Sequence, residues 1–338
     1  MSWGLIGNER AVQALVRSLA GASPPHAYLL AGPEGVGKAT AATRLAQAVN
    51  CAGAEPPCGE CGQCRRIAAG IHADVQTVSV RPGDEGPQHK AISVEQMRDV
   101  EATIALNPFE GRNRVVVIDP ADAMTTEAQN AFLKTLEEPP PHVLFVLITS
   151  AEEALLETVH SRCRRVEFRL VPLAGVEQAL RDRGVEEGQA GLLARLSQGR
   201  PGWALTMVGD PDALARREET LASARGLAGM SIAGRMDLAE RLSDEFKRDR
   251  ESVLSHLGQW QAYWRDVLLM QSGAAEAVAN VDQAGALRED AGRCAPDEVV
   301  AFVQAILDTR GYLASNVQSR LALEALLLRA PAARAAVR

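Results

Sequence analysis

Two neighbouring motifs constrain the fold of this chain more than any other feature: a glycine-rich phosphate loop and, one short helix later, a cluster of four cysteines. The loop runs from Gly32 to Lys38 in the pattern Gly-x4-Gly-Lys, and the cysteines follow at positions 51, 58, 61 and 64. The loop is typical of nucleotide-binding α/β folds, and the cluster is typical of a structural metal site. Because few families insert such a cluster into such a fold, the combination is more specific than either motif.

The residues around the loop predict the strand, turn and helix that a phosphate-binding loop requires. Residues 26–31 predict a buried strand, and the Ala- and Leu-rich residues 39–49 predict a helix. In such a unit the glycines let backbone amides point at phosphate oxygens, and the lysine pairs with the outer phosphates. The alternative is a tight glycine turn that binds no nucleotide. The predicted nucleotide-loop positions are Gly32, Gly35, Gly37, Lys38, Ala39 and Thr40.

The loop departs from its template directly after the lysine. The template has Ser or Thr there, whose hydroxyl ligates magnesium, but this chain has Ala39. Thr40 comes one residue late and points to another side of the helix. Asp119 ends a β-branched run and is placed like the magnesium-assisting aspartate of nucleotide hydrolases, although an aspartate there can equally cap a turn. The loop therefore predicts an ATP-type site that hydrolyses ATP poorly or not at all, while binding of ATP stays an open question.

The cysteine spacing, C-x6-C-x2-C-x2-C, suits four thiolates around one tetrahedral ion. Gly59 and Gly62 permit the turns that bring neighbouring sulfurs together. Four ligands leave no open coordination position, so that the predicted role is structural rather than catalytic. A redox dithiol and disulfides are the alternatives. We predict a Zn²⁺ site formed by Cys51, Cys58, Cys61 and Cys64.

Strands alternate with helices up to about residue 168, and only helices follow. This alternation predicts an α/β layer with a parallel sheet, followed by all-α structure. Ser93 and Thr126 fit capping boxes at the starts of two of the helices. Strands are predicted at 74–80, 114–119, 143–149 and 165–168. The predicted domains are 1–168, with the cysteine segment at 51–64, then a small helical domain at 169–208 and a larger one at 209–338.

Composition excludes several classes of protein. The net charge of -7 gives no global basic signal for nucleic acid, and no apolar run reaches the roughly 18 residues that a membrane helix needs. The N-terminus lacks the charged start and apolar core of a secretory signal. We therefore expect a cytoplasmic chain without a membrane partner, whose cysteines are reduced or metal-bound.

Ser161-Arg162-Cys163 lies between a helical stretch and the strand 165–168. An arginine on an exposed turn can reach a phosphate that is bound elsewhere and neutralise developing charge. On these three residues alone, a solvated arginine beside Arg164 and Arg165 is the simpler interpretation.

Together these residues resemble the delta-prime family of bacterial clamp-loader subunits, which are AAA+ proteins of the DNA polymerase III holoenzyme. The resemblance rests on the phosphate loop, the four cysteines and the runs 117–122, 130–140, 161–163 and 199–202. It covers residues 1–208 well, and the remainder by length and helical character only. It implies three domains: an AAA+ domain, a small helical lid and a helical collar that joins a five-subunit ring.

The same resemblance implies residue roles and partners. Arg162 is then an arginine finger acting in trans on ATP held by a neighbouring subunit, Thr149 and Ser150 match the first sensor position, and Arg200 is near the second sensor. The implied partners are gamma or tau ATPase subunits and a delta subunit in a hetero-pentameric ring, the sliding clamp, and primed DNA reached through the complex. The chain is then a stator that helps to load the clamp during DNA replication.

Two alternatives remain open. The gamma or tau ATPases of the same family share the zinc module and Ser-Arg-Cys, so one alternative is an active ATPase. Those ATPases have a hydroxyl after the loop lysine and a glutamate after the strand aspartate, where this chain has Ala39 and Pro120. The other alternative is a zinc-dependent nucleic-acid adaptor, which the net charge of -7 and the absence of an aromatic and basic stripe disfavour.

Overall fold

The computed structural model describes residues 3–21, 24–80, 91–314 and 317–333. The chain forms two compact units. The first consists of residues 1–183 and 199–203, and the second consists of residues 184–198 and 204–338. Apolar side chains from many parts of the sequence form the cores of these units.

A five-stranded sheet, in which neighbouring strands are parallel, forms the centre of the first unit. Thr149 pairs with Ala31 where two of the strands end, and Leu147 pairs with Ile118 at the end of a third. The carboxyl ends of the three central strands therefore lie along one edge of the sheet. The strands are β1 (Ala27–Ala31), β2 (Val75–Val78), β3 (Arg114–Ile118), β4 (Val143–Thr149) and β5 (Arg164–Glu167), in the spatial order β2-β3-β4-β1-β5.

Helices cover both faces of this sheet, which explains why the β-branched run in β3 is buried throughout. One apolar layer includes Leu15 and Leu45, and the other includes Met97 and Phe132. The described helices of the first unit are α1 (Glu9–Leu19), α2 (Lys38–Asn50), α3 (Gly62–Ala68), α4 (Val94–Ile104), α5 (Thr126–Glu137), α6 (Glu157–His160) and α7 (Leu173–Arg181).

Side-chain caps set where α4 and α5 begin. Ser93 and Gln96 form the predicted capping box at the start of α4. At α5 the prediction was wrong by one residue, because Thr125 rather than Thr126 is the N-cap and accepts a hydrogen bond from the amide of Ala128. Two adjacent threonines offer the same hydroxyl, so that only the backbone geometry decides which of them caps the helix.

The second unit contains helices and no strand in its described part. Trp260, Tyr263 and Trp264 are fully buried on its longest helix, and the rings of Trp264 and Phe302 meet edge to face at 5.7 Å. The predicted helical second half is confirmed, whereas the division into 169–208 and 209–338 stays a prediction. The helices are α8 (Glu187–Ser197), α9 (Pro201–Gly209, whose start belongs to the first unit), α10 (Ala213–Gly226), α11 (Ile232–Arg248), α12 (Arg250–Gln271), α13 (Ala284–Arg293), α14 (Pro296–Ala314) and α15 (Ser319–Leu328).

Among the described residues, no helix combines the length and the apolar character that crossing a membrane requires.

Candidate functional site

The phosphate loop connects β1 to α2 at the carboxyl edge of the sheet. Gly32 has a φ of 142°, and a Cβ there would lie 2.1 Å from the carbonyl oxygen of Phe168. Gly37 has a φ of 100° and is the N-cap of α2. Both positions therefore require glycine: Gly32 for the close approach of Phe168, which follows β5, and Gly37 for the turn into the helix.

Lys38, the first residue of α2, is buried, with 6% of its surface exposed. Its Nζ donates hydrogen bonds to the carbonyl oxygens of Gly32 and Pro33, the latter at 2.6 Å. The amine thus lies against the loop that precedes it, the loop that holds the outer phosphates in proteins of this type. A buried lysine amine needs such acceptors, since an unpaired cation in the interior costs much free energy.

Three carboxylates act on this amine. Burial lowers the pKa of Lys38, and the negative charges of Glu34, Asp119 and Asp122 oppose that shift. The pKa of Asp119 is raised, chiefly by burial, although the charge of Lys38 lowers it. The amine of Lys38 is therefore partly neutralised by these carboxylates, and a metal ion would add positive charge for a bound phosphate.

The end of β4 is tied to the turn after β3. The Thr149 hydroxyl donates to Oδ1 of Asp122 at 2.6 Å, and the Ser150 amide donates to the same oxygen at 3.1 Å. Thr149 is fully buried. The hydroxyl of Thr149 is therefore engaged by a carboxylate of the same chain, a contact that the sequence did not reveal because the two residues are 27 positions apart.

Ala39 and Thr40 are both exposed on α2. Ala39 offers only a methyl group where the loop template has a metal-ligating hydroxyl. Thr40 is the next residue along the helix, so its side chain is turned about 100° away from that position. The structure thus contains a phosphate loop with a buried lysine but no hydroxyl at the position that normally ligates magnesium.

The start of α9 covers the tip of the loop. The Gly202 amide donates to the carbonyl oxygen of Gly35 at 2.8 Å, and a Cβ on Gly35 would lie 3.2 Å from Cβ of Arg200. The structure therefore brings Arg200 to the loop, where the family resemblance implies a second sensor. The carbonyl oxygen of Gly35, at the tip of the loop, is thus engaged by the chain itself.

Asn8 is a site residue that sequence reasoning missed. Its side-chain amide donates to the carbonyl oxygens of Val36, at 3.3 Å, and Arg169, at 2.9 Å, and its Oδ1 accepts from the Arg169 amide at 2.8 Å. One asparagine thus joins the segment before α1 to the phosphate loop and to the residues after β5. Asn8 has a left-handed φ of 58°, which asparagine tolerates better than most residues. An asparagine directly before α1 was therefore the only local sequence feature that could have pointed to this position.

Arg162 lies two residues after the end of α6, and its contacts are separate from those of the phosphate loop. Its Nη1 donates to the carbonyl oxygen of Thr158 at 2.9 Å and to Oγ of Ser161 at 3.2 Å. Its Nη2 lies 2.5 Å from Oε1 of Glu137, the last residue of α5. None of these partners belongs to the phosphate loop. The structure thus brings Lys38 and Asp119 together, places Arg200 beside Gly35 of the same loop, and gives Arg162 other neighbours.

The four predicted metal ligands converge: one Sγ from each of Cys51, Cys58, Cys61 and Cys64 lies within 4.8 Å of all the others. Sulfurs bound at about 2.3 Å to a tetrahedral zinc ion are about 3.8 Å apart. The Sγ atoms of Cys58 and Cys64 are 4.0 Å apart. The cluster therefore fits a single tetrahedral metal ion.

Backbone amides favour the thiolate form of two of these sulfurs. The Cys64 amide donates to Sγ of Cys61 at 3.4 Å, and the Cys61 amide donates to Sγ of Cys58 at 3.3 Å. These bonds lower the pKa of Cys61 to about 6 and also lower the pKa of Cys58. Burial raises the pKa of Cys64 to about 12, so this sulfur needs a nearby cation to be a thiolate at neutral pH.

The chain matches a family described as "DNA polymerase III, delta subunit" over residues 7–172. Among curated proteins, the DNA polymerase III subunit delta-prime of Bacillus subtilis is 28% identical over 325 residues, which cover 94% of each chain. The DNA polymerase III subunit tau of Escherichia coli is 29% identical over 356 residues, and the tau subunit of Bacillus subtilis is 32% identical over 203 residues. The alignments cover 96% and 58% of this chain, but only 53% and 35% of those two tau subunits.

Solved structures give weaker similarities. A DNA polymerase III gamma-subunit-related protein from Thermotoga maritima aligns over 94% of this chain and 97% of its own, with 17% identity and a TM-score of 0.40. A variant of Thermotoga maritima RuvB aligns over 65% of this chain and 64% of its own, with 18% identity and a TM-score of 0.42. At these scores the alignments carry no argument about function.

The parallel sheet, the phosphate loop after β1 and the family match together define an AAA+ protein of the P-loop type. Within this class the chain is a clamp-loader subunit of DNA polymerase III. Its similarity to a delta-prime subunit over nearly the full length of both chains makes it delta-prime-like. The predicted fold class and the predicted family are confirmed.

Proposed function

We propose that this chain is the stator of a clamp loader: a subunit that supplies Arg162 in trans to ATP held by a neighbouring gamma or tau subunit, and that hydrolyses little or no ATP itself. The observation that carries this proposal is the asymmetry between the two sites. The phosphate loop has lost its magnesium-ligating hydroxyl at Ala39, whereas Arg162 is part of an exposed turn that a neighbour can reach.

Electrostatics support the impaired ATP site. The loop lysine is already surrounded by Glu34, Asp119 and Asp122, and a triphosphate would bring several further negative charges. Magnesium normally neutralises that charge, and its usual protein ligand is missing here. Pro120 follows Asp119 and has no group that can activate water. Loss of a general base alone removes about 10²- to 10⁴-fold of rate.

The wider assembly follows from the same proposal. Residues 169–208 form the lid and residues 209–338 form the collar that joins gamma or tau subunits and a delta subunit in a hetero-pentameric ring. The ring acts on the sliding clamp and on primed DNA in the cytoplasm. The similarity to tau and delta-prime subunits supports membership of such a complex.

We also propose that the metal held by the four cysteines is Zn²⁺ with a structural role. The donor set supports this identity, because four thiolates in tetrahedral geometry suit zinc and leave no position for a substrate. The ion would fix the segment between α2 and α3 and would neutralise the thiolates.

The test of the finger role compares Arg162→Ala with Arg165→Ala in a ring reconstituted with the gamma or tau and delta subunits of the same organism. Arg165 is a matched control because it is a neighbouring arginine that pairs with Glu152 in its own chain. An arginine finger raises the rate of hydrolysis of the one ATP that it contacts by about 10³-fold or more. We expect Arg162→Ala to abolish one fast phase of single-turnover ATP hydrolysis, with Arg165→Ala unchanged. Equal rates in wild type and Arg162→Ala would refute the role.

An active gamma- or tau-type ATPase is the second candidate, favoured by the 32% identity to the tau subunit of Bacillus subtilis and by the buried Lys38. The isolated chain separates the two functions. Rapid, magnesium-dependent ATP turnover that Lys38→Ala abolishes would establish the ATPase, and its absence supports the stator.

A further inference from the structure

Arg162 is held by acceptors from two helices. On the side of α6, Nη1 donates hydrogen bonds to the carbonyl oxygen of Thr158 and to the hydroxyl oxygen of Ser161. On the side of α5, Nη2 donates a hydrogen bond to a carboxylate oxygen of Glu137, the last residue of that helix, at 2.5 Å. The side chain of Arg162 is nevertheless 32% exposed, and that of Glu137 is 51% exposed, so both remain within reach of another molecule.

These contacts leave part of the guanidinium unused. A guanidinium has five N–H donors, and the three hydrogen bonds to Thr158, Ser161 and Glu137 occupy three of them. With respect to the part of the chain that the structure describes, the Nε–H and one Nη2–H are left, as many donors as a bidentate contact with a phosphate requires. Arg165 differs, because its Nε and Nη2 both donate to the carboxylate of Glu152, which takes up one whole edge of the fork.

A long side chain that is already held in one conformation loses less entropy when it binds. Fixing a freely rotating arginine side chain costs conformational entropy, and part of that cost is already met before a phosphate arrives. The anchors at Thr158 and Ser161 are local, since they lie within four residues of Arg162. Glu137 is the only anchor among the described partners that comes from a different part of the chain, and it therefore relates the arginine to α5.

We propose that Glu137 is a positioning residue for Arg162: it orients the guanidinium so that its two remaining donors point at the phosphates of a neighbouring subunit. This inference rests on the proposed role of Arg162 in trans. Glu137 itself touches no phosphate and takes no proton, and it acts through the arginine. Because the pair is partly exposed, its contribution is modest, and exposed pairs of this kind correspond to about two- to fivefold in rate.

The test uses Glu137→Gln and Glu138→Gln in the reconstituted ring. Glu138 is the matched control, since it is the adjacent, exposed glutamate and its side chain has no hydrogen bond or ion pair with a described residue. We expect Glu137→Gln to lower kcat for DNA-stimulated ATP hydrolysis by about two- to fivefold with an unchanged KM, and Glu138→Gln to match wild type. A change in ring assembly would appear in KM or in co-elution of the subunits instead.

A second comparison separates this inference from the proposed function. In the Arg162→Ala background, Glu137→Gln should change nothing further, because its target is gone. If Arg162→Ala lowers the rate and Glu137→Gln does not, the positioning role is refuted while the finger stands. If Glu137→Gln raises the rate, the carboxylate restrains the arginine, and the proposal is equally refuted. If Arg162→Ala has no effect, both proposals fall together.

Discussion

At the scale of single residues, Asp74 shows how one buried carboxylate shapes a loop. It is 1% exposed and precedes β2. Its oxygens accept hydrogen bonds from the amides of Phe109, at 2.7 Å, Glu110, at 2.8 Å, and Gly111, at 2.7 Å. Arg114 lies 3.3 Å away on β3. The carboxylate thus satisfies three amides that would otherwise lack partners in the turn before β3.

Because of these contacts, the stability of the first unit depends on pH in the acidic range. Burial alone would raise the pKa of Asp74, but the three amides and Arg114 together hold it below its usual value of 3.8. A carboxyl whose pKa is lower in the folded chain stabilises the fold above about pH 4. That stabilisation is lost as the pH falls through the folded-state pKa. Asp74→Asn should therefore flatten the acid end of the stability profile.

We expect Asp74→Asn to lower the free energy of unfolding at pH 7 by about 2 to 3 kcal/mol, because an amide replaces a charged acceptor of several hydrogen bonds. Urea unfolding monitored by circular dichroism between pH 3 and pH 7 measures the change. Asp237→Asn, on the exposed face of α11, makes the same chemical change and should have almost no effect. Equal losses in the two variants would contradict the structural role of Asp74.

At the scale of elements, the cysteine segment and α3 form one unit. Cys61 is both a predicted metal ligand and the N-cap of α3, since its side chain accepts from the Cys64 amide. Gln47 on α2 donates to the carbonyl oxygen of Cys64 at 2.7 Å, which ties the segment back to the helix after the phosphate loop. A metal ion bound by the four sulfurs would therefore stabilise the arrangement of α2 and α3 together.

We predict one zinc ion per chain, measured by elemental analysis of the purified protein. Cys64→Ser should lose the metal, while Cys163→Ser, in which a cysteine outside the cluster is replaced, should keep it. A ligand present at about 1,000 times its Kd stabilises the fold by about 4 kcal/mol, so that a strong chelator should lower the Tm of wild type but not of Cys64→Ser. Retention of one zinc ion by Cys64→Ser would contradict the four-ligand site.

At the scale of the whole molecule, assembly requires surfaces that the isolated chain leaves uncovered. Tyr312 on α14 and Leu321 on α15 are 53% and 59% exposed, and both line one groove between these helices. Val317, between the two helices, lines it as well. Exposed apolar side chains that are grouped in this way are typical of a protein interface. The proposed collar thus offers a face that a neighbouring subunit can cover.

We expect Leu321→Glu to weaken assembly of the ring without unfolding the chain, because it places a charge in an apolar contact. The fraction of the variant that co-elutes with the gamma or tau and delta subunits measures this effect, and should fall by about tenfold or more if the site is a central contact. Ile232→Glu is the control, since Ile232 is 70% exposed on α11. Normal assembly of Leu321→Glu would place the interface elsewhere.

Local sequence patterns predicted most of the elements. The apolar run in β4 gave the strand 143–149 at its observed limits, because a strand covered on both faces must be apolar throughout. Ser93 and Gln96 predicted the start of α4, because a capping box is formed within four residues. The cap of α5 was one residue wrong, and the strand predicted at 74–80 is shorter, because strand ends depend on the neighbouring strand.

By itself the sequence determined the parallel α/β class and the order of the elements. It also determined the phosphate loop with its missing hydroxyl and the four cysteines. Each of these features is a local pattern, formed by residues that are close together in the chain. Only the tertiary structure decided that Asn8 joins the loop to the end of β5, that Asp122 engages Thr149 and that Glu137 holds Arg162. These partners are 161, 27 and 25 positions apart. Side chains that are so far apart in sequence meet only because the chain folds. No local periodicity or spacing in the sequence can therefore predict their contact.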